Sequence, residues 1–590
     1  MRYLLVIGPL LVASLFASGW AVAADGATLP VVKPLLACEQ LAKHSFSAAA
    51  DATVTVSAAT LITTEQGPFC KVTGTIAPAI GFEVNLPTER WSSRFLQLGC
   101  GGLCGSLSLN LANAHSCTPA LHGEFVVAST DMGHSGSMMD ASWAQDAQKR
   151  IDFAYRAQHQ TALVSKAIIR AYYGQPQRYA YFMGCSDGGR EALMAAQRFP
   201  EDFDGIAAGA PAAFFQFQNS FFHGWNVVAN QRADGSAILL KDRLPILHRA
   251  VLGHCPTLSG VADGLLQNPY ACQFDPGWVP TCADEQKPGE NCLTREEILA
   301  AGRLYAGASD ASGRHFVLGG MPLGSELQWP VPARQGEPAM SLSMVLPALQ
   351  HVLLPETQRN LNSLADFPLT HQNFQRVAQL AALNNAANTN LHPFMQRGGR
   401  LILWHGLADD SVSPAFSLAY YRGVQAELGA EATDQFLRLF LLPGVGHCGR
   451  GEGYDQIDFL TPLLAWTESG KAPEQIVAAK VAPPALIQPH RATSAPASQQ
   501  AAGQFHAARA VSSPLPVPGK PPLATRPVYP YPNIARYTGE GDPNLAAHYR
   551  PEKSAAFALI AFGQPAISYV GADNQRTFSV VDGKLVAASH

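Results

Sequence analysis

Gly184-Cys185-Ser186-Asp187-Gly188 is the stretch that decides the fold of this chain. It fits G-x-S-x-G, the sharp strand-to-helix turn that lifts a serine hydroxyl above the end of a sheet. Its flanks fit as well. Tyr179-Ala180-Tyr181-Phe182-Met183 is a short apolar run rich in aromatics and reads as a strand, while Glu191 to Arg198 reads as a helix. The pentapeptide alone arises often by chance. Strand, turn and helix in that order give it weight.

The cysteine beside Ser186 has a counterpart. Gly446-His447-Cys448 lies far downstream with Asp409 between, so the order is serine, acid, histidine. That order belongs to an α/β-hydrolase core. A disulfide holds two Cα atoms roughly 4.4–6.8 Å apart, so a Cys185–Cys448 bridge would draw Ser186 and His447 together. Leu401-Ile402-Leu403-Trp404 reads as a buried strand ending at His405-Gly406-Leu407-Ala408-Asp409. Phe436 to Leu442 reads as the next, leading into His447. Acid and base thus follow strand ends, where open α/β sheets build their sites.

A serine hydroxyl is a poor nucleophile until a base takes its proton. His447 is the expected base, and Asp409 would fix its tautomer and steady the imidazolium. A tetrahedral oxyanion needs preorganised N–H donors, each worth about 3–4 kcal/mol of barrier. One is expected from Asp187, directly after the nucleophile. The other is expected from the turn Gly99-Cys100-Gly101-Gly102-Leu103-Cys104-Gly105, with Gly102 favoured because missing side chains let backbone approach a ligand. The bland reading of that segment is a plain tight turn. Asp410 competes with Asp409 but reads as a solvated neighbour, and His405 reads as loop support. Asp131 and His134, on a loop after the strand-like run Phe125-Val126-Val127-Ala128, suit loop hydrogen bonds as well as substrate contact. Arg190 and Glu191 start the helix after the elbow and read as support behind the residues of the site.

Composition narrows the class. Of 590 residues, 47% are hydrophobic and 15% charged, which suits a globular enzyme with one large core and a second lobe. A net charge of −4 leaves no basic footprint for nucleic acid or anionic membrane. Residues 1–23 read as a signal peptide: Arg2, the apolar run Leu4 to Phe16, and Ala21-Val22-Ala23 before cleavage. A secreted or periplasmic protein is therefore expected, with no membrane association after cleavage. Eleven cysteines in an exported chain point to disulfides. Local spacing proposes Cys38–Cys70, Cys255–Cys272 and Cys282–Cys292. Cys100, Cys104 and Cys117 remain, and at least one stays a thiol. No zinc site is expected, since no CxxC pair and no close His–Cys cluster has ligand spacing.

The chain divides as follows: an α/β-hydrolase core over 24–224, a lid domain over 225–398, the core resumed over 399–481, a Pro/Ala-rich linker or loop over 482–523, and a C-terminal segment over 524–590. The lid stretch is too long for a loop and sits between nucleophile and acid. Residues 50–135 read as several strands, Ile151 to Tyr173 as a helix, and 552–590 as short apolar runs able to form strands.

These motifs resemble the tannase and feruloyl esterase family of α/β hydrolases, which includes the mono-hydroxyethyl terephthalate hydrolase. The resemblance covers about Cys38 to Tyr549. Gly184-Cys185-Ser186-Asp187-Gly188-Gly189-Arg190-Glu191 is similar to its nucleophile motif, His405 to Asp409 to its acid motif, and Gly446-His447-Cys448 to its base motif with the bridging cysteine. Phe199-Pro200, Asp204-Gly205 and Gly209-Ala210-Pro211 match too. The resemblance implies hydrolysis of small aromatic esters through an acyl-enzyme, with the lid binding the aromatic acyl group and no cofactor required.

Two departures stand out. The family's lid often carries a calcium loop with three aspartates; here Cys255-Pro256-Thr257-Leu258-Ser259-Gly260-Val261-Ala262-Asp263-Gly264 keeps only Asp263. Calcium wants 6–8 oxygens and its affinity falls with ligand charge, so weak calcium binding or none is expected, with Val261 and Leu265 carbonyls as remaining donors. Near the C-terminus the family's cysteine at the Tyr529 position and its partner near Pro551 are both absent. Hydroxycinnamate and gallate esters are the expected substrates, then phthalate monoesters. A small-ester or lactone esterase, an acyltransferase using the same triad, and a non-catalytic binding relative are the alternatives.

Overall fold

A computed structural model describes residues 26–65, 67–284, 287–481, 523–554, 565–571 and 574–588. The leader expected over 1–23 and nearly all of the segment expected over 482–523 lie outside them.

Nine strands form the central sheet. They are β1 (Val54–Thr64), β2 (Gly67–Ile76), β3 (Ile80–Pro87), β4 (Arg94–Leu98), β5 (Phe125–Thr130), β6 (Tyr179–Cys185), β7 (Gly205–Gly209), β8 (Arg400–Gly406) and β9 (Leu437–Leu442). Their spatial order is β1-β2-β3-β5-β4-β6-β7-β8-β9. The first three strands pair antiparallel, β3 meets β5 antiparallel, and every pairing from β5 across to β9 is parallel. Parallel strands are covered on both faces and so read as continuous apolar runs. Accordingly β4 and β7 are buried throughout, whereas β1, at the sheet edge, is largely exposed.

Helices cover the sheet. Among them are α1 (Ala157–Tyr173), α2 (Asp187–Arg198), α3 (Leu244–His254), α4 (Arg295–Ala306), α5 (Met340–His351), α6 (Pro414–Leu428) and α7 (Leu460–Ser469). The inward residues of α1, α2 and α6 join one apolar cluster, and α7 packs with Tyr181 and Trp404 in another on the opposite face. The helix expected from Ile151 is interrupted by a wide π turn over Asp152–Arg156. That turn leaves the carbonyls of Phe153 and Ala154 to accept from Arg190 at 3.0 and 2.9 Å. Among the described residues, no strand of the sheet lies between Gly209 and Arg400. This inserted stretch has its own apolar core, with Leu247, Leu293, Leu304 and Trp329 buried together.

Past α7 the chain adds paired short strands: β10 (Ile476–Lys480) with β11 (Ala524–Val528), β12 (Asn533–Tyr537) with β13 (Tyr549–Lys553), and β14 (Phe578–Val581) with β15 (Lys584–Ala587). No helix among the described residues is long and apolar enough to cross a membrane.

Candidate active site

Ser186 occupies the one-residue turn between β6 and α2 with φ 65° and ψ −120°. Non-glycine residues rarely hold a positive φ, and such strain collects where a side chain must be presented in a fixed direction. Here the backbone holds it from both sides: Ser186 N–H donates to Gly209 O at 3.0 Å, and Ser186 O accepts from Ala212 N–H at 3.0 Å. The turn is so tight that a Cβ on Gly184 would lie 2.4 Å from the Gly188 carbonyl, which is why the motif needs glycine there.

His447 and Asp409 come from the loops after β9 and β8. His447 Nε2 lies 2.9 Å from Ser186 Oγ, and its Nδ1 lies 2.8 Å from Asp409 Oδ2. Asp409 is fully buried and its other oxygen accepts from the amides of Ser411 and Val412, both at 2.8 Å. Burial alone would raise its pKa. The positive side of His447 and hydrogen bonds from His447 and His405 outweigh that and hold the carboxyl well below the usual range. Burial likewise disfavours the His447 imidazolium, but Asp409 overcomes it and the pKa is raised.

The competing residues take other places. His405 Nε2 lies 3.2 Å from Asp409 Oδ2 and 2.9 Å from Val412 O, with Nδ1 2.7 Å from Ser417 Oγ, so it braces the acid loop. Asp410 is not the solvated neighbour expected from the sequence. It is buried, and burial together with the Asp409 charge pushes its pKa up to about 7. Asp131 Oδ1 accepts from the Gly81 and Gly133 amides at 2.9 Å. His134 stacks on Trp143 and sets Nε2 2.8 Å from Leu103 O, supporting the glycine-rich turn.

That turn abuts the elbow. Cys100 O accepts Gly188 N–H at 2.7 Å, and Cys100 N–H is committed to Glu191 Oε1 at 3.0 Å. Leu103 N–H goes to Met138 O and Cys104 N–H to Gly101 O. Among the described residues, the amides of Gly101, Gly102 and Asp187 have no hydrogen-bond acceptor. Gly102 has φ +61°, and a Cβ there would meet Met138 O at 2.6 Å. Asp187 pairs with Arg190 at 2.6 Å, and that guanidinium also lies over the Phe153 and Phe215 rings.

Five disulfides occur among the described residues. Cys185–Cys448 has a Cα separation of 5.9 Å; the others are Cys38–Cys70, Cys255–Cys272, Cys282–Cys292 and Cys100–Cys104. Cys117 is a buried thiol, its pKa pushed up to about 12 by burial.

The inserted stretch reaches the site through residues that no sequence motif marked. Gln328 Nε2 donates to Ala408 O at 3.3 Å, and Gln218 donates to Ser411 O. His223 is buried 3.2 Å from Ser341 Oγ; burial, then the neighbouring His447, bring its pKa down to about 4, so it stays neutral. His248 on α3 has Nδ1 2.5 Å from Glu326 Oε2 and Nε2 2.7 Å from Glu452 Oε2, tying the insertion to the loop after His447.

The calcium loop does not fit calcium. Asp263, the remaining carboxylate, accepts from Arg526 Nη2 at 2.8 Å. Leu258 O accepts from Arg536 Nη1 at 2.7 Å, Ser259 O from Tyr537 N–H at 2.8 Å, and Val261 O from the Ser259 hydroxyl at 3.0 Å. Guanidinium and amide donors from the C-terminal strands, with the loop's own Ser259 hydroxyl, thus hold oxygens that a hard cation would need.

Comparison with known proteins places these features. The family pattern described as "Tannase and feruloyl esterase" matches residues 62–551. A mono(2-hydroxyethyl) terephthalate hydrolase of Piscinibacter sakaiensis is 30% identical over 556 residues, covering 81% of this chain and 84% of its own. A probable feruloyl esterase of Arthroderma benhamiae is 31% identical over 411 residues, covering 66% and 73%. Among solved structures, feruloyl esterase B from Aspergillus oryzae superposes with a TM-score of 0.70 at 23% identity, covering 88% of this chain and 100% of its own.

Proposed function

The chain belongs to the tannase and feruloyl esterase family of carboxylic ester hydrolases, and on that premise we propose that it is an exported esterase for esters of aromatic acids, with Ser186, His447 and Asp409 as its triad. The observation that carries this reading is the unbroken chain of contacts from Ser186 Oγ through His447 to buried Asp409. Ser186 Oγ attacks the ester carbonyl carbon as His447 Nε2 takes its proton, and Asp409 steadies the imidazolium through Nδ1–H. The uncommitted amides of Asp187 and Gly102 receive the oxyanion. Collapse expels the alcohol, which leaves with the proton from His447. Water then attacks the acyl-enzyme by the same route and regenerates Ser186. Side chains, backbone amides and water suffice for every step. The five disulfides support export, since such bridges persist in oxidising compartments.

Hydroxycinnamate and gallate esters are the first-ranked substrates. The terephthalate monoester hydrolase among the relatives favours phthalate monoesters as the second reading. The test is turnover of methyl ferulate, methyl gallate and mono-hydroxyethyl terephthalate, with Ser186→Ala as control. Turnover of one ester that disappears in the control supports the triad and selects the substrate. A folded protein that cleaves only a short nitrophenyl ester would keep the chemistry and sink the aromatic assignment. Addition of an acceptor alcohol separates hydrolysis from acyl transfer.

A further inference from the structure

Behind the glycine-rich turn stands a group of side chains that the ester chemistry does not use. Glu191 is fully buried, accepts Cys100 N–H through Oε1, and has no hydrogen-bond donor at Oε2 among the described residues. Asp187 beside it is 2% exposed and accepts from Arg190, Nε to Oδ1 at 2.6 Å and Nη2 to Oδ2 at 3.1 Å, which leaves a second lone pair on Oδ2. Two sulfurs face the same oxygens. Cys100 Sγ lies 3.0 Å from Glu191 Oε1 and 4.0 Å from Asp187 Oδ2; Cys104 Sγ lies 3.4 Å from Asp187 Oδ2 and 3.8 Å from Glu191 Oε1. One ligand atom from each of the four residues lies within 4.8 Å of all the others. Sequence spacing argued against such a cluster, because the two halves are about ninety residues apart and meet only where the turn packs on α2.

A disulfide is an awkward occupant of this pocket. Oxidised sulfur has no hydrogen to give a carboxylate, whereas a thiol has one and a thiolate can share a cation with it. We propose that Cys100, Cys104, Asp187 and Glu191 form a reducible metal-binding site, which as the dithiol takes a borderline-soft divalent ion such as Zn²⁺. A dithiol reductant supplies two electrons and two protons: the Cys100–Cys104 S–S bond breaks, both sulfurs become thiols, and the reductant closes to its own disulfide. Zn²⁺ then displaces the thiol protons to solvent. Attack enters at Cys100, which is partly exposed, because Cys104 is 1% exposed. Two thiolates with two carboxylate oxygens make a four-ligand set that suits zinc better than calcium or magnesium. Gly101 and Gly102 lie between the two cysteines, so the redox and metal state also sets the shape of the turn. That last consequence rests on the reading of Gly102 as an oxyanion donor; metal binding itself does not.

The test uses the full purified chain. Mild anaerobic treatment with dithiothreitol is followed by alkylation and peptide mass mapping of the cysteines. Parallel samples are desalted, given Zn²⁺ and analysed for bound metal, beside oxidised protein and a Cys100→Ser/Cys104→Ser variant. The expected result is labelling of Cys100 and Cys104 ahead of the other bridged cysteines, with about one tightly held zinc per reduced chain and none in either control. Glu191→Gln, which can still accept Cys100 N–H, should weaken zinc binding at least about tenfold while keeping the fold. Reduced protein that holds no more zinc than the double-serine variant would overturn the site, as would a Cys100–Cys104 bridge that survives while the others open. Zinc bound without loss of ester turnover would overturn the coupling to the turn alone.

Discussion

Cys185 and Cys448 are joined by a disulfide whose Cα atoms are 5.9 Å apart, and each is the chain neighbour of one member of the Ser186–His447 pair. The bridge therefore ties the elbow after β6 to the loop after β9 beside the 2.9 Å contact through which the proposed proton transfer runs. A misplacement of about 1 Å can cost roughly 10²-fold in rate. Cys185→Ala with Cys448→Ala should lower kcat by about that factor, with circular dichroism close to wild type. Undiminished kcat in a protein shown by mass to lack the bridge would remove its positioning role.

Asp409 should matter through His447 rather than by touching substrate. Asp409→Asn keeps the shape but offers His447 the wrong partner, and in a comparable triad this costs about 10⁴-fold in kcat. Steady-state kinetics on whichever ester the enzyme turns over should show that fall with KM little changed. Asp410→Asn should stay within about tenfold of wild type, since Asp409 is the residue that meets His447.

His248 predicts a pH dependence. Burial disfavours its charged form, but Glu326 and Glu452 outweigh that and lift the pKa to about 9. A folded-state value above the unfolded value of about 6.5 stabilises the fold fully below about pH 6.5. That contribution is lost as pH rises through about 9. Glu452 is half exposed and its pKa is lowered, so its share is lost on acidification. The melting temperature of the wild type should therefore drop by a few degrees more than that of His248→Gln between pH 7 and 10. Parallel curves for the two proteins would refute the clasp.

Arg526 stands against Asp263 where the family resemblance places a calcium ligand. Neither EDTA nor added calcium should move the melting temperature of the wild type. Arg526→Met should destabilise by about 2 kcal/mol, because it strands a partly buried carboxylate, and Arg526→Met with Asp263→Asn should recover much of that loss. A calcium-dependent rise in the wild-type melting temperature would count against the substitution of guanidinium for metal.

The Ser186 elbow and the strand-end positions of Asp409 and His447 were legible in the chain because each is a local pattern. An apolar run must end, and a glycine must follow where a Cβ would strike backbone, as at Gly184. The π turn over Asp152–Arg156 was not legible, since the guanidinium that meets its carbonyls comes from α2, more than thirty residues along the chain. The burial of Asp410 was misread for a similar reason: the groups that exclude water from it are not its neighbours in the sequence.

By itself, then, the sequence determined the α/β-hydrolase core, the order of Ser186, Asp409 and His447, and the loss of carboxylates from the calcium loop. Those are matters of residue type and spacing, which short-range sterics and burial periodicity translate directly into strands, turns and helices. Only the tertiary structure decided that Cys100 pairs with Cys104, that their sulfurs face Asp187 and Glu191, that His248 clasps Glu452, and that Arg526 answers Asp263. Each of those joins groups from separate elements. A buried charge must find an opposite partner or a proton wherever the fold delivers one, and which element delivers it is fixed by packing.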